Sequence, residues 1–184
     1  MKLKQIAQFS SGLNSLELKK SPHHAATYTN DDMEIDLCQG YWSEELPIIQ
    51  KAVANAGNLI INMMTNRATV VSPLSVGKLL PQHIMQLSLD NQQVDAWYLC
   101  YVFNESHSVK RQLYSTMEGT VLRRVTATSI KNLNIKLPPL EEQRQIGKFY
   151  RTILIQERLQ REYLQKLNQL YLTILNKNDL NGGK

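Results

Sequence analysis

Residues 132–150 read NLNIKLPPLEEQRQIGKFY, a short apolar segment joined through a Pro-Pro elbow to the start of a long helix. Pro138 and Pro139 lack the N–H that a ladder or a helix interior needs, so they end a strand predicted over 134–137 and fix its exit angle. Glu141 and Glu142 then fall in the first helical turn, where carboxylates suit the exposed N–H groups and the macrodipole. From there to about Asn178 the only Gly or Pro is Gly147. At 1.5 Å per residue this is a rod of roughly 50 Å. A rod that long exceeds what so small a domain can bury, so it is expected to project and meet a partner.

The helix pattern says what kind of partner. Apolar residues fall at Ile146, Phe149, Tyr150 and Ile153, and resume at Tyr163, Leu164, Leu167, Leu170, Tyr171 and Ile174, in heptad-like steps of three and four. Between them lies a polar belt from Gln156 to Glu162, broken only by Leu159. Two apolar patches about a polar centre suit an antiparallel partner of identical sequence. Ile146 then stands opposite Leu170 of a second copy, Phe149 opposite Leu167, Ile153 opposite Tyr163, and Gln156 opposite Gln160. A buried glutamine pair costs stability but fixes register. The alternative is a helix lying along its own domain or against a different subunit.

Upstream, segments 59–64 and 68–72 read as a hairpin rich in Ile and Val, and 84–89 alternates as a third strand. Residues 94–103 carry Val94, Trp97, Tyr98, Tyr101 and Val102 at helical spacing, with Asp90 or Asn91 as caps. A second short helix with a basic start is predicted over 108–117, then a strand TVLRRV after Gly119, then a turn capped by Thr126 or Thr128. Residues 13–45 are the least regular, with turn signals at SPHH and TNDD. Strands and helices in this order argue for an α+β fold: a mixed-sheet domain over 1–139, one long C-terminal helix over 140–178, and a disordered tail over 179–184.

The 184 residues suffice for one domain of about 140 residues plus the helix. A hydrophobic content of 42% and a charged content of 20% are ordinary for a soluble globular protein. No apolar run approaches the roughly 20 residues of a membrane span, and MKLKQIAQF lacks the apolar core of a secretory signal. Cys38 and Cys100 are isolated thiols, which fits a reducing cytoplasm. The formal charge is +5. Residues 1–137 hold 13 Lys+Arg against 11 Asp+Glu, for +2; residues 138–184 hold 8 against 5, for +3. This balance is compatible with nucleic acid without establishing it.

Catalytic signatures are missing. There is no G-x-x-x-x-G-K-[ST] phosphate loop, no Asn-Pro-Pro-aromatic amino-methyltransferase site and no Gly-rich methyl-donor loop. Glu17-Leu18-Lys19 is an E-x-K triplet of the kind that can hold a metal in nucleases, but it has no upstream Pro-Asp and such triplets arise often by chance. His23 and His24 are adjacent and do not converge on one metal, while His83 and His107 stand alone. Trp97, Tyr98 and Tyr101 suit core packing better than base stacking. No catalytic residue and no metal ligand is assigned.

The LPPLEEQ element followed by IGKFY and the striped helix resembles the specificity subunit of type I restriction–modification systems. KLKQIAQFSSG resembles that family's opening strand and Gly, GNLIINMM with RATVVSP its central hairpin, and VDAWYLCYVFN its middle helix. EGTVLRRVTATSIKNLNIKLPPLEEQ resembles its closing unit. The hairpin departs from the pattern in lacking the Gly that often follows its first strand, and the chain has one recognition domain and one helix where full-length members have two of each.

The resemblance implies a non-catalytic chain whose globular part reads double-stranded DNA. Phosphate contacts would position the duplex and a few side chains would read base edges. The candidates are Asn66 and Arg67 at the hairpin turn, Lys78, then Lys110, Arg111 and Tyr114 on the basic helix, and Arg123, Arg124 and Thr126 after Gly119. For each the bland reading is a solvated surface group. The resemblance further implies docking of a methyltransferase subunit that holds S-adenosylmethionine, and of a restriction subunit using ATP and magnesium where restriction accompanies methylation. No cofactor falls to this chain. Two identical domains on paired helices imply an interrupted palindromic target. Two other readings stay open: a truncated paralogue that supplies recognition sequence by recombination, and an oligomerisation module that binds no DNA.

Overall fold

The computed structural model describes residues 1–20, 26–39, 52–116 and 125–181, with side chains described as far as Lys177. Four strands form one sheet: β1 (Ala7–Ser11), β2 (Leu59–Asn62), β3 (Arg67–Val70) and β4 (Ile84–Leu89), in the order β1-β4-β2-β3. Every pairing is antiparallel. The α+β class is adopted, but the sheet is antiparallel rather than the mixed one expected, and among the described residues parallel pairing is confined to isolated bridges at Leu13–Pro81 and Thr27–Leu79.

The central strand β2, LIIN, is buried on both faces, which is why it reads as a continuous apolar run. Its alternate residues serve two cores. Leu59 and Ile61 join Val70, Leu87 and the apolar face of α3 (Ala96–Glu105), whereas Ile60 joins Tyr28, Met33, Val71 and Leu80. The second core is closed by α2 (Asn30–Leu37), whose N-cap is a reciprocal box: Thr29 accepts from Asp32 N–H while Asp32 accepts from Thr29 N–H. The TNDD signal is therefore a helix start. A short helix α1 (Ser15–Lys20), α4 (His107–Thr116), α5 (Ala127–Lys131) and α6 (Leu140–Asn181) complete the described α-helices, beside 3-10 turns at Leu3–Gln5 and Pro73–Ser75.

Several details depart from the sequence reading. The cap of α3 is Asp95, which accepts from Tyr98 N–H at 2.7 Å, rather than Asp90 or Asn91. Asp90 instead caps the turn before it, accepting from Gln92 N–H. Residues 134–137, predicted as a strand, form only an isolated bridge at Asn134. They pair with the N-terminus, where Leu3 N–H donates to the Leu133 carbonyl at 2.9 Å and Ile135 N–H to that of Met1 at 2.8 Å. The long helix continues to Asn181, past the expected boundary at 178, and 182–184 lie outside the described residues, as does most of the predicted strand TVLRRV.

Candidate nucleic-acid interface

The hairpin between β2 and β3 turns without the Gly common at this place. Asn62 Oδ1 accepts from Met64 N–H at 2.8 Å and Thr65 N–H at 3.2 Å, and its Nδ2 donates to Asn30 Oδ1 at 2.9 Å. Asn66 takes the left-handed conformation, with φ of 55°, which Asn tolerates better than other residues with a Cβ. One asparagine thus braces the turn and another bends it. The turn carries Met64 outward, 64% exposed, beside an open groove of about 620 Å³ lined by Leu13, Leu18, Met63, His83 and Thr126. Burial at this groove pushes the His83 imidazole below its ordinary value.

Arg67 and Lys78 flank α2 and meet its acidic side. Arg67 pairs with Glu34, and Lys78 Nζ lies 2.5 Å from Asp32 Oδ1. Burial raises the Asp32 carboxyl, but its bonds from Lys78 and Thr29 outweigh this and hold it below the usual carboxylate range. Lys110, Arg111 and Tyr114 lie together on α4, where Lys110 pairs with Glu105 at 3.3 Å and Tyr114 is largely exposed. No described hydrogen bond or ion pair joins this group to Asn66, Arg67 or Lys78. Thr126 lines the hairpin groove, yet its hydroxyl caps α5 by accepting from Ser129 N–H at 3.1 Å. Arg123 and Arg124 lie outside the described residues.

Sequence reasoning passed over Gln143, the last residue of LPPLEEQ, which is 1% exposed. Its Nε2 donates to the carbonyls of Pro138 (2.8 Å) and Gln93 (3.2 Å), and its Oε1 accepts from Asp95 N–H at 3.1 Å. The motif therefore fastens the elbow and α6 to the start of α3. Gly147 lets the helices close: a Cβ there would stand 2.4 Å from Asp95 Oδ1 and 2.8 Å from Tyr98 N. One turn on, Tyr150 packs edge-on against Tyr101 and donates to Glu105 at 3.2 Å. Arg151 donates to the Gln39 carbonyl from Nε and Nη2 at 3.3 and 3.1 Å and lies over the Trp97 ring.

These contacts use one face of α6. Gln143, Gly147, Tyr150 and Leu154 turn toward the globule, and Ile146 is half-buried against the same core. Ile146, expected to meet a second copy, thus packs on its own domain instead, and the rest of that stripe lies on another face: Phe149 is 68% exposed, Ile153 half-buried, and Gln156 and Gln160 exposed. Farther along, Tyr163 is 65% exposed and Leu170 54%, while Leu167 is half-buried. Leu164, Tyr171, Leu172, Ile174 and Leu175 add to this uncovered apolar surface.

Catalytic geometry does not assemble among the described residues. No group of three or more His, Cys, Asp or Glu side chains there could hold a metal. Glu17 accepts from Asn14 N–H at 2.9 Å in the cap of α1. Burial raises the thiols of Cys38 and Cys100, so neither is an activated nucleophile. No helix among the described residues is long and apolar enough to cross a membrane.

The sequence profile of the type I restriction modification DNA specificity domain matches residues 2–169. The chain belongs to that family. No sequence among characterised proteins matches it significantly. Among solved structures, it is similar to a chain of the type I R-M system whose complex assembly and conformational transition have been described, at 19% identity and a TM-score of 0.59, covering 96% of this chain and 44% of that one. It is also similar to the type I restriction-modification S subunit from M. genitalium (13% identity, TM-score 0.53, 92% and 42% covered). A third is the HsdS subunit from Thermoanaerobacter tengcongensis (19% identity, TM-score 0.51, 96% and 43% covered). These likenesses establish a shared fold, and this specificity domain spans less than half the length of each.

Proposed function

We propose that this chain is the non-catalytic DNA-reading component of a type I restriction–modification complex, acting in the cytoplasm as a pair of copies joined through α6. Each globule reads one half of an interrupted target. Twofold symmetry makes the halves inverted repeats, and the overlap of the helices sets the unread gap. A methyltransferase subunit supplies S-adenosylmethionine and the reacting site, and a restriction subunit, where present, supplies ATP- and magnesium-dependent cleavage. The chain selects where those subunits act.

The observation that carries this reading, beside the family match, is the division of labour on α6. One face is fixed to α3 through Gln143, Gly147 and Tyr150, and a different apolar stripe stays uncovered well beyond the globule. A helix that only completed its own domain would not need the second stripe. Light scattering on the purified chain, followed by co-purification with a methyltransferase subunit, tests both halves. A dimer that recruits the methyltransferase is expected; a monomer at micromolar concentration removes the paired arrangement.

A further inference from the structure

We infer that Met64, at the tip of the β2–β3 hairpin, is a specificity-determining residue that meets the 5-methyl group of a thymine in the major groove. Asn62 and Asn30 are the positioning residues that hold it there. The inference rests on the DNA-reading proposal and deepens it, naming one base group and the side chain that reads it.

The tip is a fixed mount. Asn62 is 1% exposed, and its side-chain oxygen takes the N–H groups of both Met64 and Thr65, at 2.8 and 3.2 Å. Its amide nitrogen donates to Asn30 Oδ1 at 2.9 Å. Asn30 is the first residue of α2. That helix is itself held by the Thr29–Asp32 box, by Lys78 at Asp32, and by Ser72 and Ser75 at the buried Asp36. Asn66 closes the turn at φ 55°. Met64 and Thr65 therefore stand exposed on a backbone tied to both β2 and α2.

The chemistry of the tip narrows what it can read. Because Asn62 already takes the Met64 and Thr65 N–H groups, selection there falls to the side chains rather than to the backbone. A two-stranded ribbon fits the major groove, where base edges present donors, acceptors and one apolar group, the thymine methyl. A thioether has no hydrogen to donate and is only a weak acceptor, so of these groups Met64 complements the methyl. A lone exposed apolar side chain is ordinary on a protein surface. This one, 64% exposed, is set apart by a buried amide whose three hydrogen bonds fix the turn beneath it. The polar candidates Asn66 and Arg67 follow two and three residues later, so one turn joins a methyl contact to hydrogen-bonding readers.

The test takes a duplex selected by the chain with its methyltransferase subunit and replaces each thymine of one half-site in turn by uracil, which lacks only the methyl. Wild type is expected to bind one of these duplexes about fourfold more weakly than the thymine form. Met64→Ala should bind the two forms alike. Asn30→Ala, at an exposed position, leaves Asn62 on the turn amides and should shrink the thymine-to-uracil ratio. Asn30→Asp, which still accepts from Asn62, should retain it. Each ratio is taken within one protein, so a loss of stability in a variant does not imitate the effect. A wild type indifferent to every replacement, with its sequence preference intact, overturns the inference and leaves the reading proposal standing. An unaltered ratio in Met64→Ala overturns it too, whether affinity holds for both forms or falls for both as loss of an inserted wedge would make it. An unaltered ratio in Asn30→Ala removes the positioning role. Selection that enriches no sequence removes the reading proposal, and the inference with it.

Discussion

The side-chain oxygen of Gln143 accepts the backbone N–H of Asp95 at 3.1 Å, and the Asp95 carboxylate in turn caps α3 through Tyr98 N–H. A residue of the long helix thus organises the first turn of the helix it packs against. The arm is built into the globule, and how firmly it is held depends on a few buried polar groups.

Gln143→Ala leaves Asp95 N–H and the carbonyls of Gln93 and Pro138 without their partner. Three bonds to one buried amide predict a loss of about 2–4 kcal/mol in denaturant unfolding. Gly147→Ala should cost a similar amount by another route, since the added methyl collides with the Asp95 cap. A change under about 0.5 kcal/mol for either would show that the arm and α3 are not joined as described.

Asp36 predicts a pH dependence. Its carboxylate is fully buried and accepts from Tyr28, Ser72 and Ser75 at 2.6–2.8 Å, with no ion-pair partner among the described residues. Burial raises its pKa above the ordinary carboxylate value, and the three hydroxyl donors only partly oppose this. A raised folded pKa favours the protonated folded form, so this stabilising contribution is full below the unfolded carboxylate value and declines as pH rises through the folded one. Asp36→Asn should flatten the stability profile in that window, read by urea midpoints across mildly acidic buffers. An unaltered profile would mean that Asp36 does not titrate there.

The uncovered stripe predicts its own disruption. Replacing Tyr163 and Leu167 with Glu places charge in two of the proposed layers and should raise the dimer dissociation constant by about 100-fold or more. Because both lie beyond the globule, its unfolding midpoint measured as a monomer should hold. Gln156→Leu with Gln160→Leu should tighten association while loosening register. Sedimentation velocity reads both, and a dimer indifferent to the Glu pair would assemble through another surface.

The basic groups predict salt-dependent binding. Charge reversal at Arg123 and Arg124 should weaken duplex affinity and lower the salt slope by about 2 or more, and reversal at Lys110 and Arg111 should do the same if α4 faces the backbone. Filter binding at several salt concentrations compares them. Equal affinities for wild type and either variant would turn that element away from the DNA.

Local chemistry was legible in the sequence where neighbours alone decide it. Pro138 and Pro139 directly precede the start of α6, Ile60 and its neighbours form the central strand, and the heptad steps from Phe149 to Leu170 mark a surface that the globule does not cover. What escaped depends on distant partners. The segment 134–137 reads as a strand, and its actual role, a bridge to the N-terminus, depends on a partner more than a hundred residues away. Helix α2 hid behind its charges, because Asp32 and Glu34 answer Lys78 and Arg67 while Asp36 is buried among hydroxyls. Those pairings also alter the candidate site, since two cations read as free for DNA already have carboxylate neighbours. Gln143 gave one faint signal, a polar residue facing inward on a striped helix.

Selection from a random duplex library by the chain together with its methyltransferase subunit addresses the central claim most directly. The account predicts enrichment of two inverted copies of one short sequence separated by a constant gap, with the gap altered when α6 is lengthened or shortened. A library that emerges with no sequence enriched would contradict it.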